Sequence, residues 1–282
     1  AAACNVTQPT LSGQIAKLEE ELGVKLFERE GRRIRVAARA EPIIAHARMA
    51  IAAASDIVAA ARASRDPLVG PIRLGVIATI GPYLTPYLLA AAARELPQAP
   101  IMLVEDLTGH LLPMLADGRL DAAIIATDPD GERIDTLALY DEPFLLAASA
   151  SDALAGRKSV AVEELDPKSL LLLTDGHCLR DQALELCRHP DVGAGAAADM
   201  RAASLETLLH LTAAGYGVTL APQMAIESWR DHKGLVALPL HGAQVSRRVR
   251  LAFRRDTPRK KALETLARAI RESAPACVAA TK

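Results

Sequence analysis

Four scattered cysteines among 282 residues are too few for a disulfide-stapled scaffold. No stretch has the pattern of a secretory signal, and the longest apolar runs are interrupted well short of the roughly 20 residues that span a bilayer. The chain carries no P-loop, no dinucleotide-binding glycine fingerprint and no metal-ligand spacing. We therefore expect a soluble cytoplasmic protein with no cofactor, no resident metal and no membrane partner, whose thiols stay reduced until an oxidant arrives. The sequence also lacks a starting Met and a plausible first turn, so we expect residues to precede it in the natural protein.

Half the residues are apolar and 24% are charged, enough for a sizeable core and, at this length, two domains with a small third element. The net charge of −1 identifies no partner, but its distribution is uneven. Residues 1–66 carry ten Lys/Arg against eight Asp/Glu, and five arginines crowd residues 29–39 against one acid, Glu30. Such a stripe either contacts phosphates or is simply solvated.

The stretch from Val6 to Gly23 predicts a helix. Thr7 is a good N-cap, Pro9 suits the first turn, Leu11, Ile15, Leu18 and Leu22 form a stripe, and Gly23 closes it. Gln8, Thr10, Ser12 and Gln14 supply uncharged donors and acceptors suited to base edges and phosphates. The basic Arg29–Arg35 segment reads as a strand-turn, the wing of a winged helix. An amphipathic helix followed by a plain hairpin is the alternative.

Residues 42–65 are almost continuously helix-forming. Ile44, Ile51 and Val58 repeat every seven residues, with Ala47, Ala54 and Ala61 at the second seam position. This pattern predicts a dimerisation helix, against the alternative of an alanine-rich helix packed on its own domain. Asp66-Pro67-Leu68-Val69-Gly70-Pro71 ends it.

Beyond Gly70, short apolar runs alternate with helical patterns: strands at Ile72–Ile77, Ile101–Glu105, Leu120–Ala126, Leu170–Leu173, Ala197–Arg201, Val218–Leu220 and Val249–Phe253. Helices fall near Leu84–Leu96, after Gly109, at Ser204–Ala214 and at Lys260–Ser273. This implies βαβ units and parallel sheets. Thr79 and Thr108 follow the first two strands, and the Asp175–Cys178 loop follows Leu170–Leu173. All three are expected at one cleft, because ligand sites lie beyond the carboxyl ends of such strands.

That last loop opens the run Asp175-Gly176-His177-Cys178-Leu179-Arg180-Asp181-Gln182-Ala183-Leu184-Glu185-Leu186-Cys187. Everything after Gly176 reads as a helix. Nine helical residues place the two Cα atoms about 13 Å apart along the axis, whereas a disulfide needs them within about 7 Å. Bridging would require unwinding. Cys178 stands at the helix start, with His177 adjacent and Arg180 within a turn, conditions that lower a thiol pKa; Asp181 would fix Arg180 or the local backbone. Cys187 could resolve a sulfenic acid formed at Cys178. Two plainer readings are inert buried cysteines and a zinc site from His177, Cys178, Cys187 and His189, whose spacing is unusual. Cys4 is expected in a helix-turn-helix core and Cys277 in a loose tail.

The stretch VTQPTLSGQIAKLEEELGVKLFER resembles the helix-turn-helix of LysR-type transcriptional regulators, without the first helix that family carries upstream. IGPYLTPYLL, DGHCLRDQALELC, ASLETLLHL and AAGYGVTLAP resemble its peroxide-sensing OxyR branch. The chain departs from the family after the wing, where Ala37-Ala38-Arg39-Ala40-Glu41-Pro42 replaces a Thr-Pro-Ala-Gly-like turn. The resemblance implies a partial winged helix-turn-helix domain (residues 1–41), a linker and dimerisation helix (42–66) and an α/β regulatory domain (67–282). The last has two subdomains hinged like a periplasmic binding protein, I at 71–142 and 249–282, II at 143–248.

By the same resemblance, Gln8, Pro9, Thr10, Ser12, Gln14, Lys17, Arg29, Arg32 and Arg33 contact promoter DNA. Thr79, Thr108, His177 and Arg254 position hydrogen peroxide, Arg180 and Asp181 tune the thiol, and Cys178 and Cys187 form a reversible disulfide. The implied protein is a homodimer or homotetramer, not an enzyme, with RNA polymerase as a further partner. The alternatives are a metabolite-sensing LysR-type regulator, a thiol peroxidase, and a truncated copy with impaired DNA binding.

Overall fold

Thr7 does cap the first helix, α1 (Gln8–Leu22): its hydroxyl accepts from Thr10 N, proline occupies the first turn, and Gly23 closes the helix at φ 65°. The computed structural model describes residues 1, 4–31, 33–63, 65–129, 133–187, 201–242 and 245–280. They form two compact units, residues 1–55 and 56–282.

In the first unit, α1 leads to an antiparallel hairpin of β1 (Phe27–Glu30) and β2 (Arg33–Val36). Leu26, Ala37 and Ala40 make a small core with Phe27, Val36, Ile43 and Ile44 packed on it. One expectation needs correction. Leu18 and Leu22 are each 45% exposed, and the residue turned inward there is Glu19. Its carboxylate accepts from Leu26 N at 2.7 Å and Phe27 N at 3.2 Å and pairs with Lys25 at 2.8 Å. The turn into the hairpin presents amides that need an acceptor, and a leucine could not supply one. Cys4 is exposed, not in the core.

A 3₁₀ turn at Ala38–Ala40 then leads into α2 (Glu41–Ala63); Ala37 before it makes no side-chain cap. The buried methyls of Ala37 and Ala40 suit that tight junction. Along α2, Ile51 is 69% and Val58 51% exposed. Ala47, Ala54 and Ala61 are exposed as well. From Ala47 onward the seven-residue seam faces solvent, while Ile44 packs on the small core.

The second unit opens with β3 (Ile72–Ile77), α3 (Gly81–Glu95), β4 (Ile101–Asp106), α4 (Thr108–Ala116), β5 (Ala122–Ile125) and β6 (Ile134–Ser149). Next come β7 (Val160–Ala161), β8 (Leu172–Leu173), α5 (Cys178–Cys187), β9 (Arg201–Ala202), α6 (Leu205–Ala213), β10 (Thr219–Pro222) and α7 (Gln223–Ser228). The chain ends with β11 (Leu235–His241), β12 (Ser246–Arg254), α8 (Lys260–Ser273) and β13 (Ala279–Ala280). Most of the expected Ala197–Arg201 strand lies outside the described residues.

β3 pairs parallel with β4 and β5, as alternation of strand and helix predicts. The other half does not follow that expectation. β12 runs antiparallel to β5 and β6, and β10 and β11 are antiparallel to β6. The sixteen-residue β6 is the reason. Its first part, residues 134–143, pairs with β12 and its last part, residues 144–149, with β10 and β11, so one strand runs through both subdomains. Strand β8 pairs parallel with β9 in a separate two-stranded sheet. Helix α8 buries Leu263, Leu266 and Ile270 along one face, and Leu74, Val76, Ile124, Leu251 and Phe253 fill the sheet's core.

Candidate functional site

Three chain segments end at the same place. β3 runs into Ile77-Ala78-Thr79, β4 into Leu107-Thr108, and β8 into the turn that delivers Gly176, His177 and Cys178. These residues line one cavity of about 10 Å³, close to the least room that a single water-sized molecule needs. Gly176 allows that approach: its φ is +92°, and a Cβ there would stand 3.0 Å from Leu107 Cδ1.

Cys178 is the first residue of α5 and is 8% exposed. Thr79 at 2% and His177 at 7% are buried beside it. Thr108 Oγ1 is buried and has no hydrogen-bond partner of normal geometry. Both cysteines are free thiols. Cys187, the last residue of α5, is half-buried. The ten-residue helix between them holds their Cα atoms about 13 Å apart, too far for a disulfide or for shared ligation of one metal ion. His189 and the residues after Cys187 lie outside the described residues.

The expected lowering of the Cys178 pKa is overturned. Burial pushes the thiol above its ordinary value, and the charge of Asp181 adds to the rise. Arg247 and the Thr108 hydroxyl oppose it without prevailing. The neighbours named from sequence do not supply the missing cation. Burial holds His177 below its ordinary value of 6.5, so the ring is neutral at pH 7. Arg180 turns back onto Asp175 at 2.9 Å and onto the Leu173 carbonyl at 3.3 Å, bracing the turn. Its partner is thus Asp175, not Asp181. Burial also raises the Cys187 thiol.

The arginine at the cavity is Arg247, which sequence reasoning missed. It is 3% exposed and donates to Thr79 twice, Nη1 to Oγ1 and Nη2 to the carbonyl, each at 3.0 Å. Its Nε donates to Glu142 Oε2 at 2.9 Å, while Glu142 Oε1 accepts from Met224 N at 3.0 Å. Arg254, named in its place, pairs with Asp56 at 2.6 Å and donates to the Leu115 carbonyl at 3.3 Å. The two arginines stand at opposite ends of β12, seven residues or roughly 23 Å apart. Arg247 sits opposite Glu142 and Arg254 opposite Ile134. No signal in the residue order marked Arg247, because the burial of Glu142 and the register that sets the arginine opposite it exist only in the assembled fold.

Beside this cavity, a cleft of about 460 Å³ is bounded by Gln182, Glu185 and Leu186 of α5, by residues 126–128 and by the β12 arginines. Each of those arginines is already paired: Arg247 with Glu142, Arg248 with Asp141 and Arg250 with Asp128.

In the first unit, Gln8, Pro9, Thr10, Ser12, Gln14 and Lys17 are all exposed on α1, and Thr10 Oγ1 lies 2.8 Å from the capping Thr7 hydroxyl. Arg29 and Arg33 belong to the hairpin strands. Arg32 lies outside the described residues.

The family model for the LysR substrate binding domain matches residues 65–275, and that for the lysR-family bacterial regulatory helix-turn-helix protein matches residues 1–41. The hydrogen peroxide-inducible genes activator of Dickeya chrysanthemi is 38% identical over 269 residues, 95% of this chain and 88% of that protein. The probable hydrogen peroxide-inducible genes activator of Mycobacterium leprae is 42% identical over 271 residues, 95% and 86% of the two chains. Among solved structures, a full-length cysteine variant of OxyR from Pseudomonas aeruginosa superposes with a TM-score of 0.79 at 38% identity, covering 96% of this chain and 90% of that one. A hydrogen peroxide-bound cysteine variant of Corynebacterium glutamicum OxyR gives 0.71 at 33% identity, with 97% and 86% covered.

Proposed function

This chain belongs to the LysR family of transcriptional regulators, and from that premise we propose that it senses hydrogen peroxide through Cys178, with Cys187 as the resolving thiol. The observation that carries the reading is Cys178 at the start of α5, facing a cavity of about 10 Å³, with the second cysteine at the far end of the same helix.

The resting thiol is protonated, because burial outweighs the nearby positive charge. Peroxide in the cavity meets the buried Thr108 hydroxyl, which lies beside the Cys178 thiol, and Thr79, held in place by Arg247. The Cys178 sulfur attacks one peroxide oxygen, the O–O bond breaks, and the departing oxygen leaves as water after taking up the thiol proton. Fixed donors and the Arg247 charge stabilise the negative charge that builds on that oxygen. Cys187 then displaces hydroxide from the sulfenic sulfur, and its own proton leaves with it as a second water. In sum, two thiols and one hydrogen peroxide give one disulfide and two waters. The bond draws together sulfurs that the helix keeps apart, so α5 must come undone.

On this reading, residues 1–41 contact promoter DNA, with exposed α1 groups reading base edges while Arg29, Arg32 and Arg33 hold phosphates. Residues 42–66 pair with a second copy through the exposed seven-residue seam of α2, giving a dimer or a tetramer. Residues 67–282 sense, subdomain I taking 71–142 and 249–282 and subdomain II 143–248. The protein acts in the cytoplasm, engages RNA polymerase at the promoter, and is not an enzyme.

Peptide mass mapping after mild peroxide, without reductant, tests the centre of the proposal. A linked Cys178–Cys187 peptide is expected; persistent free thiols at both positions would overturn it. The rival reading, a carboxylate metabolite in the larger cleft, is weakened by the pairing of every arginine that bounds it with an acid. It predicts that Cys178→Ser leaves the response unchanged.

A further inference from the structure

Gln182 lies midway along α5, four residues after Cys178 and five before Cys187. Its Nε2 donates at 2.8 Å to the carbonyl of Ala126, just past β5 in the other subdomain. Its Oε1 is buried without a partner, so the attachment of this amide rests on that one bond. The apolar anchoring of the helix is thin. Its buried residues are Cys178, Leu179 and Ala183, with Leu184, Leu186 and Cys187 only partly buried against the core.

We propose that Gln182 is a positioning residue for disulfide closure: its amide pins α5 to the carboxyl end of β5 and sets how readily the helix comes apart once Cys178 is oxidised. This rests on the cysteine-pair reading above. Of the two chemical steps, the first oxidises Cys178 in place, breaking the O–O bond and releasing water. Only the second, in which Cys187 displaces hydroxide from the sulfenic sulfur, needs the helix to move. Gln182 therefore acts on the second step alone. Because the bond is lost with the helix, it also weights the equilibrium toward the dithiol.

The test separates the two steps in the full chain. Sulfenic acid formation is followed in a Cys187→Ser background with a 1,3-dicarbonyl trap, and closure by quenched-flow mass analysis of the two-cysteine protein. Gln182→Ala is expected to speed closure about tenfold and to leave sulfenic acid formation unchanged. Equilibration with a dithiothreitol couple should show a tenfold shift toward the disulfide, a potential about 30 mV more negative. Alanine favours helix more than glutamine does, so propensity alone would slow closure, and the sign of the change separates the two causes. Gln182→Glu, which cannot donate to the Ala126 carbonyl, should speed closure at least as much. Closure that is unchanged or slower in both variants overturns the role. So does an equal change in both steps, because the substitution would then be acting through the peroxide cavity. A parent chain that forms sulfenic acid but never the Cys178–Cys187 bond defeats the cysteine-pair reading itself.

Discussion

Arg247 and Thr79 are joined by two hydrogen bonds of 3.0 Å, one to the threonine hydroxyl and one to its carbonyl, although 168 residues separate them in the chain. The same guanidinium rests on Glu142, and the ion pair is almost wholly enclosed, each side chain being 1% exposed. One buried charge pair therefore holds Thr79 in the wall of the cavity beside Cys178. Removing one partner should leave the other charged and unsolvated.

Arg247→Met is accordingly expected to destabilise the regulatory unit by about 3–5 kcal/mol, read as a lower urea midpoint by the fluorescence of Trp229. Adding Glu142→Gln should restore part of the loss, since no lone charge then remains. A double variant as unstable as the single one would show that the pair is not the source.

The buried Cys178 and His177 predict a stability maximum between two pH limits. Cys178 has its pKa raised in the folded state, so its contribution is complete below the ordinary thiol value of 9.0 and is lost as pH rises through the folded one. His177 has its pKa lowered, so its contribution is present above 6.5 and is lost as pH falls through the folded value. Melting temperatures across pH 5–10, on an order-of-magnitude scan of that window, should fall at both ends. Cys178→Ser should flatten the alkaline limb and His177→Gln the acid limb. Unchanged limbs would contradict the assignment.

Gly176→Ala should cost about 1–2 kcal/mol, the penalty for placing a side chain in left-handed backbone. It should also slow the peroxide reaction, because the new methyl stands 3.0 Å from Leu107 Cδ1 at the cavity wall. Competition for peroxide against a reference thiol measures the rate. Retention of the parent rate together with the parent melting temperature would refute this.

Ile51→Glu with Val58→Glu is expected to shift the protein to a lighter species in sedimentation, because both residues lie on the exposed seam of α2. The monomer should lose little stability, within about 0.5 kcal/mol per substitution, as is usual for solvent-facing positions. An unaltered sedimentation coefficient would rule out pairing through this seam.

Much of this was legible from residue order. The helix at Lys260–Ser273 and the strand at Ile72–Ile77 match the structure residue for residue, because their apolar spacing is strong and uninterrupted. The long β6 escaped notice, because Asp135, Asp141, Glu142 and Pro143 break its apolar pattern. Its acids find their partners outside the strand: Asp141 and Glu142 in Arg248 and Arg247 of the neighbouring β12, Asp135 in Arg255 just past it, and Glu142 also in the Met224 amide.

The chain on its own determined that two cysteines nine residues apart share one helix, since helical rise and disulfide reach are local geometry and need no partner. It could not determine the protonation of Cys178 or which arginine stands near it. His177 and Arg180 are neighbours along the backbone, yet one is neutral and the other points away. The charge that matters comes from Arg247, brought in by the pairing of β12 with β6. Burial and strand register are properties of the assembled fold, and they decided the chemistry that spacing alone left open.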